Sequence, residues 1–491
     1  MSGLLGALVL VPLGGAVLAS LLPARAAAVT GLTAAATAAT AALATVLVAT
    51  TGTLDLELAG WGAPLGIDLR ADGLSATLLL LTAAVGAVVT AYAAGPRAAR
   101  GQEPFWPLWL LLWAGLNAVY VSGDLFNTYV ALELLGLAAV ALVAQGGRDS
   151  LAPALRYLFV AVLGSLAYLL GVALVFAETG TLDIAIAADS LDSGTSAVVA
   201  LGAMTVGLAL KTALFPLHAW LPPAHSAAPA AVSALLSALV VKASFYVLVR
   251  LWFTVYRAEA ATLTQALGVL GAAAVVWGGV QALRQQRLKR VVAYSTVAQV
   301  GYLFLIFPLA APGVDAGAGT AAAATAVAGW TGALAVAVAH GLAKSAMFLT
   351  AGTLAAAHGT DQLDRLRGAA SRMPMSGMAF ALAAITLAGL PPTLGFVGKW
   401  QLLQASLGSG QWWWVPVLLG GGLLTIAYTA RAMKATFRDQ ADDDEEPPEL
   451  RPVLRRLQVA PLGLALAALL LGLTAVPLVD LTLVGSPWGG S

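Results

Sequence analysis

Several charged side chains lie deep inside hydrophobic segments of this sequence, where a charge is costly. They are Glu133, Lys211, Lys242, Lys344 and Lys399, and His340 stands one helical turn before Lys344. At the centre of a bilayer a charge costs at least about 2.5 to 3.5 kcal/mol, so such residues normally face the interior of a helix bundle and mark a transport path. The alternative is that single members only snorkel to an interface or form structural ion pairs.

The chemistry that these residue types allow is proton transfer. Glu133 and Lys211 are natural partners, because a nearby carboxylate holds the proton of a buried lysine and a departing one releases it. His340 and Lys344 share one helix face, and histidine titrates near neutrality. We therefore expect all six residues to be site residues, with the histidine and the other three lysines passing protons on through intervening water.

Other chemistries find little support in the sequence. Cysteine is absent, which excludes thiolate metal sites and cysteine-bound iron–sulfur clusters, so any redox centre would belong to another chain. No GxxxxGK[ST] motif is present, so ATP-driven transport by this chain alone is not expected. No group of intramembrane carboxylates resembles a sodium cage. We expect neither a cofactor nor a resident metal ion.

A few further polar residues carry weaker signals. His218 and His225 lie in a proline-rich segment and are either proton entry groups or ordinary histidines at a helix end. The acidic run at 442–446 is typical of a solvated loop. The formal net charge is only +1, so the sequence gives no indication of nucleic acid binding.

The elements that must position these residues are transmembrane helices. Of the 491 residues, 60% are hydrophobic and 10% are charged, whereas a soluble domain has about 25% charged residues. A bilayer core needs about 20 apolar residues per helix, and such stretches recur along the whole chain. We predict an all-α membrane domain with about fourteen spans, at 3–22, 27–50, 73–94, 105–123, 125–145, 154–177, 196–215, 228–256, 262–282, 290–311, 320–356, 376–407, 411–432 and 457–479.

The distribution of basic residues predicts the orientation. With the loops numbered in order, odd loops hold eighteen of the 25 Lys and Arg residues, whereas even loops hold only Arg70, Arg250 and Arg257. Because cytoplasmic loops carry most of the Lys and Arg, we expect the odd loops in the cytoplasm and both termini outside. An even number of spans is then required, and fourteen fits.

Three predicted spans are overlong or contain proline, and they have the pattern of interrupted helices. These are the region around Phe215-Pro216, the run at 320–356, and the run at 376–407 with its break at Pro391-Pro392. Lys211 precedes the first break and Lys399 follows the last one. Broken helices near polar residues indicate a transport centre, because irregular backbone inside a membrane is tolerated only beside protein or water.

The two proline breaks lie five spans apart, which predicts two five-helix repeats. A repeat with an odd number of helices must be inverted in the membrane. Within one membrane domain over 1–491, we therefore expect three N-terminal helices in 1–104, repeats at 105–256 and 262–437, a charged cytoplasmic loop at 438–456, and a C-terminal helix and tail at 457–491.

At several motifs the sequence resembles the antiporter-like family shared by Mrp-type Na⁺/H⁺ antiporters and the proton-pumping subunits of respiratory NADH:quinone oxidoreductase. The motifs stand in the family order over about 105–405. They are Gly123-Asp124-Leu125-Phe126-Asn127 leading to Glu133; Leu210-Lys211-Thr212-Ala213-Leu214-Phe215-Pro216-Leu217-His218-Ala219-Trp220-Leu221-Pro222; Val232-Ser233-Ala234-Leu235-Leu236; Lys289-Arg290 with Tyr294-Ser295; His340 to Lys344 with Phe348; and Leu387-Ala388-Gly389-Leu390-Pro391-Pro392 with Gly395-Phe396 and Lys399.

The resemblance implies fourteen helices in two inverted five-helix repeats, with helices 7 and 12 broken and the termini outside. It also implies that Glu133 and Lys211 are the key pair and that Lys242, Lys344 and Lys399 continue the path. Lysine at position 399 makes the chain similar to the D-type subunits of the Mrp antiporters, and the N-type oxidoreductase subunit is the second candidate. Pro223 departs from the family, which commonly has an acidic residue there.

These features leave three functions open. The first is sodium/proton antiport in a bacterial cell membrane, together with other subunits of a hetero-oligomeric complex. The second is proton pumping driven by electron transfer on partner chains. The third is a scaffold that transports nothing. The buried charges argue against the scaffold, while the identity of the partner chains would separate the first two functions.

Overall fold

The computed structural model describes residues 3–94, 104–314, 316, 319–437 and 450–488, apart from the side chains of 257–262. Almost all of this part is helical, which confirms the all-α class. Arg97, Arg100, Arg438 and the acidic run at 442–446 lie outside the described residues, as does most of the charged loop at 438–456.

The first half of the chain consists of long helices and one β-hairpin. The helices are α1 Gly3–Leu21, α2 Ala26–Thr51, α3 Gly73–Ala93, α4 Phe105–Val121, α5 Leu125–Ala144, α6 Leu151–Thr179, α7 Ile184–Ser190 and α8 Thr195–Thr212. Between α2 and α3, strands β1 Leu54–Glu57 and β2 Asp68–Ala71 pair antiparallel, with Leu54 opposite Ala71. This hairpin is absent from the sequence-based prediction, because its two strands are only four residues long.

The second half contains thirteen further α-helices. They are α9 Leu221–Ala227, α10 Ala230–Leu235, α11 Val241–Arg250, α12 Arg257–Arg284, α13 Leu288–Leu303, α14 Ile306–Ala310, α15 Ala321–His358, α16 Ala369–Arg372, α17 Pro374–Ala388, α18 Leu394–Gly408, α19 Val415–Phe437, α20 Arg456–Leu473 and α21 Val476–Leu483. The π-helical turn Leu236–Val240 joins α10 to α11, and a second one, Leu251–Val255, extends α11, so that one continuous helix covers 230–255. Short 3-10 turns lie at Pro23–Arg25, Leu58–Gly60, Arg148–Ser150, Ala311–Gly313, Leu363–Arg365 and Trp412–Trp414.

In the described part of the chain, 12 helices are long and apolar enough to cross a membrane. Helices α4 and α17 are also apolar but shorter, so the count of fourteen spans stays a prediction. The continuous helix over 230–255 lies in the middle of the bundle and is buried on all sides. Outer helices instead expose large apolar side chains such as Leu32, Phe159 and Leu423, which suits contact with lipid.

The structure corrects two predicted elements. The run at 320–356 is not interrupted, since α15 is one helix of 38 residues. It contains no proline, and its glycines keep helical backbone. The predicted span 457–479 is wrong at its end, because α20 ends at Leu473 and α21 starts at Val476. Pro477 cannot donate the backbone hydrogen bond that would continue α20.

At the two proline motifs the backbone does leave the helical conformation. Helix α8 ends before Ala213, whose φ of 59° is left-handed, and α17 ends before Gly389, whose φ is 81°. Helix α18 starts after Thr393, whose side chain accepts a hydrogen bond from the Phe396 N–H. Whether both breaks lie inside the bilayer stays a prediction, as do the inverted repeats.

Alternate loops meet at two opposite ends of the bundle. At what we call the basic end, Arg287 pairs with Asp361 at 2.7 Å, and Arg431 donates to the Leu283 carbonyl. At the acidic end, Gly123 N–H donates to the Asp68 carbonyl at 2.9 Å, and the chain after α21 packs on the start of α3. Helix α1 also starts at the acidic end, against β1. The first and last described residues therefore share one end of the molecule.

Candidate proton-translocation site

Glu133 and Lys211 form an ion pair between α5 and α8. Lys211 Nζ lies 3.4 Å from Glu133 Oε1, and the Ser165 hydroxyl of α6 donates to the same carboxylate oxygen. The lysine side chain is 7% exposed and that of the glutamate is 27% exposed. The carboxylate therefore has room to move on its open side, whereas the ammonium group is enclosed.

Small residues make the space for this lysine. A Cβ atom at Gly164 would lie 2.7 Å from the Gly207 carbonyl oxygen and 3.2 Å from Lys211 Cγ. Only glycine therefore allows α6 and α8 to pack this closely around the lysine side chain. On the other side, Trp220 stacks on Tyr157 at 4.2 Å and donates from its indole N–H to the Leu210 carbonyl, so the break after α8 is held in place.

A small cavity separates Lys211 from the central helix. It has a volume of about 10 Å³, and its lining includes Lys211, Val240 and Ser244. About 10 to 15 Å³ is the least that holds one water molecule. A water there would have Lys211 and the Ser244 hydroxyl as polar neighbours, beside the helix that bears Lys242.

Lys242 and His340 form the centre of the site. Lys242 is fully buried and His340 is 1% exposed. Lys242 Nζ donates to the Ser237 carbonyl at 2.8 Å and lies 2.7 Å from His340 Nδ1. If the lysine donates, the ring carries its proton on Nε2. The sequence places His340 on one face with Lys344, but the structure pairs its ring with Lys242, because α15 packs against the central helix.

Polar groups of Ser237 and α13 lie between this centre and Lys344. The Ser237 hydroxyl lies 2.9 Å from the Thr296 hydroxyl, which donates to the Val292 carbonyl at 3.2 Å. Lys344 Nζ donates to the same carbonyl at 3.0 Å and also to the Ser295 hydroxyl. Helix α13 thus supplies one turn of polar groups between two fully buried lysines.

Further polar groups of α13 and α19 lead from Lys344 toward Lys399. Gln299, one turn after Ser295, donates to the Thr425 hydroxyl at 3.2 Å and to the Leu387 carbonyl at 3.3 Å. The Tyr428 hydroxyl donates to Thr425 at 3.3 Å. The Leu387 carbonyl is also an acceptor for Lys399, so the polar groups are continuous up to the break after α17.

Lys399 belongs to α18, and its side chain reaches the C-terminal end of α17. Its Nζ donates to the Leu387 and Ala388 carbonyls at 2.8 and 3.2 Å, and it lies 4.2 Å above the Tyr302 ring. The free carbonyls at a helix C-terminus attract a cation, and the ring face adds to this attraction. Gly389 leaves the room, since a Cβ there would be 2.6 Å from Lys399 Cδ.

The six predicted site residues therefore lie along one line of polar groups through the bundle, although their role is still a prediction. Sequence reasoning missed the hydroxyl and amide partners on α6, α13 and α19. Ser295, Thr296 and Gln299 interrupt a buried helix at one-turn spacing, which is the signal that could have found them. Sequence reasoning also took Arg250 for a loop residue, whereas it lies in the last turn of α11 and pairs with buried Asp72.

The remaining candidates lie nearer the basic end. His225 is fully buried and stacks on Phe348 at 4.6 Å, while His218 stacks on Phe215 at 5.5 Å. Lys289 donates to the carbonyls of Ser226 and Ala228 and so holds the end of α9. In the described ranges, no three His, Asp or Glu side chains converge as metal ligands would.

Comparison with known proteins agrees with this arrangement. The family described as NADH:quinone oxidoreductase/Mrp antiporter, transmembrane, matches residues 122–425. The NADH-quinone oxidoreductase N subunit of Desulforudis audaxviator is 38% identical over 77% of this chain and 74% of its own length. The Na⁺/H⁺ antiporter D subunit of Bacillus subtilis is 31% identical over 81% and 78%, respectively.

A solved structure shows the same architecture. A chain of the Mrp complex from Dietzia sp. superimposes with a TM-score of 0.86 and 26% identity, over 98% of this chain and 96% of that one. The family match covers more than half of the sequence, and all six predicted site residues lie within it. This chain therefore belongs to the NADH:quinone oxidoreductase/Mrp antiporter transmembrane family.

Proposed function

We propose that the chain is the proton-translocating subunit of a multi-subunit monovalent cation (Na⁺)/H⁺ antiporter. The observation that carries this proposal is the row of buried polar groups between two fully buried lysines, Lys242 and Lys344. Ser237 contacts Lys242 through its carbonyl and Thr296 through its hydroxyl, and the Val292 carbonyl accepts from both Thr296 and Lys344. Buried charges are expensive, so a continuous polar line of this length indicates transport rather than packing.

The ion pair at the start of the line acts as the switch. When Glu133 lies against Lys211, the ammonium group is stabilised and holds its proton. When the carboxylate swings toward its open side, the ammonium group loses its counter-charge inside the bundle and passes the proton through the small cavity to the central helix. Lys242, His340, Lys344 and Lys399 then hand protons along by Grotthuss-type exchange with water and hydroxyl groups.

The driving force is the proton gradient. Each 100 mV of membrane potential supplies roughly 2.3 kcal/mol per charge that crosses the membrane. We place the basic end in the cytoplasm by the rule that cytoplasmic loops carry Lys and Arg, so both ends of the described chain face outward in a bacterial cell membrane. Sodium crosses elsewhere in a hetero-oligomeric complex with other antiporter subunits.

One observation favours a second candidate function. The 38% identity with an oxidoreductase N subunit exceeds the 31% identity with an antiporter D subunit. In that case the same proton line would serve as an N-type subunit of respiratory NADH:quinone oxidoreductase, driven by redox partners. Sodium-driven proton flux without added NADH distinguishes the antiporter from the redox pump.

The test measures sodium-dependent proton flux in vesicles from antiporter-deficient cells that express the whole gene cluster. We expect Glu133→Gln and Lys211→Ala each to lower the flux by at least about tenfold, the usual scale for loss of a positioned acid or base. Glu178→Gln is the matched control, because Glu178 is an exposed glutamate near the end of α6. Unchanged flux in both site variants, with the complex assembled, would show that the buried charges form structural ion pairs and do not carry protons.

A further inference from the structure

The structure has a large cavity that the proposed relay does not use. It opens at the acidic end, has a volume of about 870 Å³, and lies between the β-hairpin, the loop after α6, the end of α11 and the segment after α21. Seven carboxylates and two arginines line it, so its field favours cations and hydronium over anions. The residues at the bottom of the cavity indicate its role more specifically than these carboxylates do.

A buried ion pair forms the bottom of the cavity. Arg250 lies 2.5 Å from Asp72, which is 2% exposed. Burial by itself would raise the pKa of the Asp72 carboxyl, but the Arg250 guanidinium outweighs that effect and keeps the pKa below its usual range. Arg250 Nε donates to the Tyr246 hydroxyl at 3.0 Å, and Ser75 lies 3.1 Å from both Tyr246 Oη and an Arg250 nitrogen.

The same groups lie between the centre of the relay and the acidic end of the bundle. Lys242, Tyr246 and Arg250 are spaced four residues apart and share one face of α11. Ser75 and Thr82 are seven residues apart and share one face of α3. The two helices run in opposite directions, so moving inward from the Ser75 and Tyr246 contact brings Thr82 toward the level of Lys242. The adjacent Leu81 packs on Gly341, the neighbour of His340.

Three buried polar atoms in this region make no hydrogen bond of ordinary distance and angle among the described residues. They are Thr82 Oγ1, the Tyr120 hydroxyl and His340 Nε2. Thr82 faces the Tyr120 hydroxyl, and the Tyr120 ring packs edge-on against Tyr246 at 5.3 Å. A buried polar group without a well-formed hydrogen bond is costly, so such groups are normally satisfied by ordered water.

From these contacts we propose a hydrated branch of the proton path that runs from the His340 and Lys242 centre past Thr82 and Tyr120 to the acidic cavity, with the Asp72–Arg250 pair as its gate. The branch rests on the proposed proton-translocating function. It would give the first half of the molecule its own connection to the outer side, independent of Lys399. Arg250 and Asp72 act as positioning residues, because they control access and do not themselves relay the proton.

The absence of cysteine from the native chain makes this branch directly testable. The experiment introduces Ser75→Cys, Thr82→Cys or the control Thr77→Cys in the assembled complex. Labelling with a small membrane-impermeant methanethiosulfonate, applied from the outer side, is measured on this chain after gel separation. Thr77 lies on the opposite face of α3 and donates to the Gly73 carbonyl at 2.7 Å. A cysteine in dry, packed surroundings is inert.

We expect Ser75→Cys and Thr82→Cys to be labelled and Thr77→Cys to stay unlabelled. In a second background, Asp72→Asn removes one charge of the gate. The Thr82→Cys rate should then rise at least about tenfold, since tenfold corresponds to only 1.4 kcal/mol and breaking a buried pair costs more. Arg250→Lys, which keeps the charge, should restore most of the slow labelling relative to Arg250→Gln.

Absence of Thr82→Cys labelling in both backgrounds, with Ser75→Cys reactive, would overturn the branch and leave the ion pair as a fastener between α3 and α11. Labelling needs no transport, so its outcome is separate from that of the flux assay. A labelled Thr82→Cys together with normal flux in both Glu133→Gln and Lys211→Ala would support the hydrated passage and refute the proposed relay. An unlabelled Thr82→Cys together with lost flux in those variants would support the relay and refute the branch.

Discussion

At the residue scale, one lysine of the relay is held by a carboxylate and the other three by uncharged acceptors. Glu133 holds Lys211, a histidine ring and a carbonyl hold Lys242, and the end of a helix holds Lys399. A carboxylate binds a charged ammonium group far more strongly than a neutral amine. A carbonyl or an imidazole accepts a hydrogen bond from the lysine in either protonation state. Only the first lysine therefore has a counter-charge that can come and go.

Glycine at position 164 is the first testable requirement at this scale. Gly164→Ala would press its methyl group against the Gly207 carbonyl and Lys211 Cγ, so we expect a loss of about 1–3 kcal/mol from overpacking and a severe loss of sodium-dependent proton flux. Gly202→Ala on α8 is the control, because a Cβ there meets nothing within 4 Å. It should keep full flux and gain about 0.5–1 kcal/mol. Equal flux in the two variants would refute the requirement for close packing of α6 on α8.

At the element scale, the two helix breaks place the ends of helices beside the relay. The break after α8 follows Lys211, and the break after α17 presents two carbonyls to Lys399. Because a helix end has unsatisfied backbone groups, it can offer several carbonyls to one ammonium group, as α17 does to Lys399. The continuous α15 contributes differently, since it brings His340 and Lys344 to the centre from within an unbroken helix.

The start of α18 can be tested through its cap. Thr393→Ala removes the side chain that accepts from the Phe396 N–H, and loss of such a cap costs about 0.5–2 kcal/mol. Since α18 carries Lys399, we expect both a lower melting temperature of the detergent-solubilised complex and slower proton flux. Thr320→Ala removes the equivalent cap of α15, far along that helix from Lys344. It should lower the melting temperature without changing flux, and slower flux in both would contradict a local effect on Lys399.

At the scale of the whole molecule, the two ends are built differently. Arginines hold the loops of the basic end, by bonds such as Arg431 to the Leu283 and Gln285 carbonyls. Besides the Arg250–Asp72 pair, backbone contacts and aromatic rings hold the acidic end, where the segment after α21 packs on the start of α3. Trp488 packs on Trp330 at 5.5 Å and donates to the Gly313 carbonyl at 3.0 Å. The segment after α21 also forms part of the wall of the large cavity at the acidic end.

We expect the Trp488 side chain to stabilise the acidic end of the molecule. For Trp488→Ala we expect a loss of about 2–3 kcal/mol, below the 3–5 kcal/mol of fully buried aromatic deletions because the ring is only partly buried. Thermal unfolding of the detergent-solubilised complex measures it. Trp61 is 65% exposed, so Trp61→Ala should change stability by less than about 0.5 kcal/mol. Similar melting temperatures for the two variants would show that the segment is not fastened by Trp488.

The sequence by itself determined the membrane environment, the all-α fold class and the candidate site residues. Its hydrophobic runs predicted an all-α membrane protein, which is confirmed, and its rare buried charges named Glu133, Lys211, Lys242, His340, Lys344 and Lys399. Both inferences work because burying a charge in lipid is costly whatever the fold. The same hydropathy pattern failed at 320–356 and 457–479, where proline position rather than length decides whether a helix continues.

Only the tertiary structure decided which groups meet. Periodicity places His340 and Lys344 on one face of α15, but it does not say which neighbouring helix that face contacts. The pairing of His340 with Lys242, the polar turn of α13, and the ion pair of Asp72 with Arg250 all depend on how helices rotate and slide against each other. Close packing of small residues such as Gly164 and Gly207 sets that rotation, and no pattern within a single helix records it.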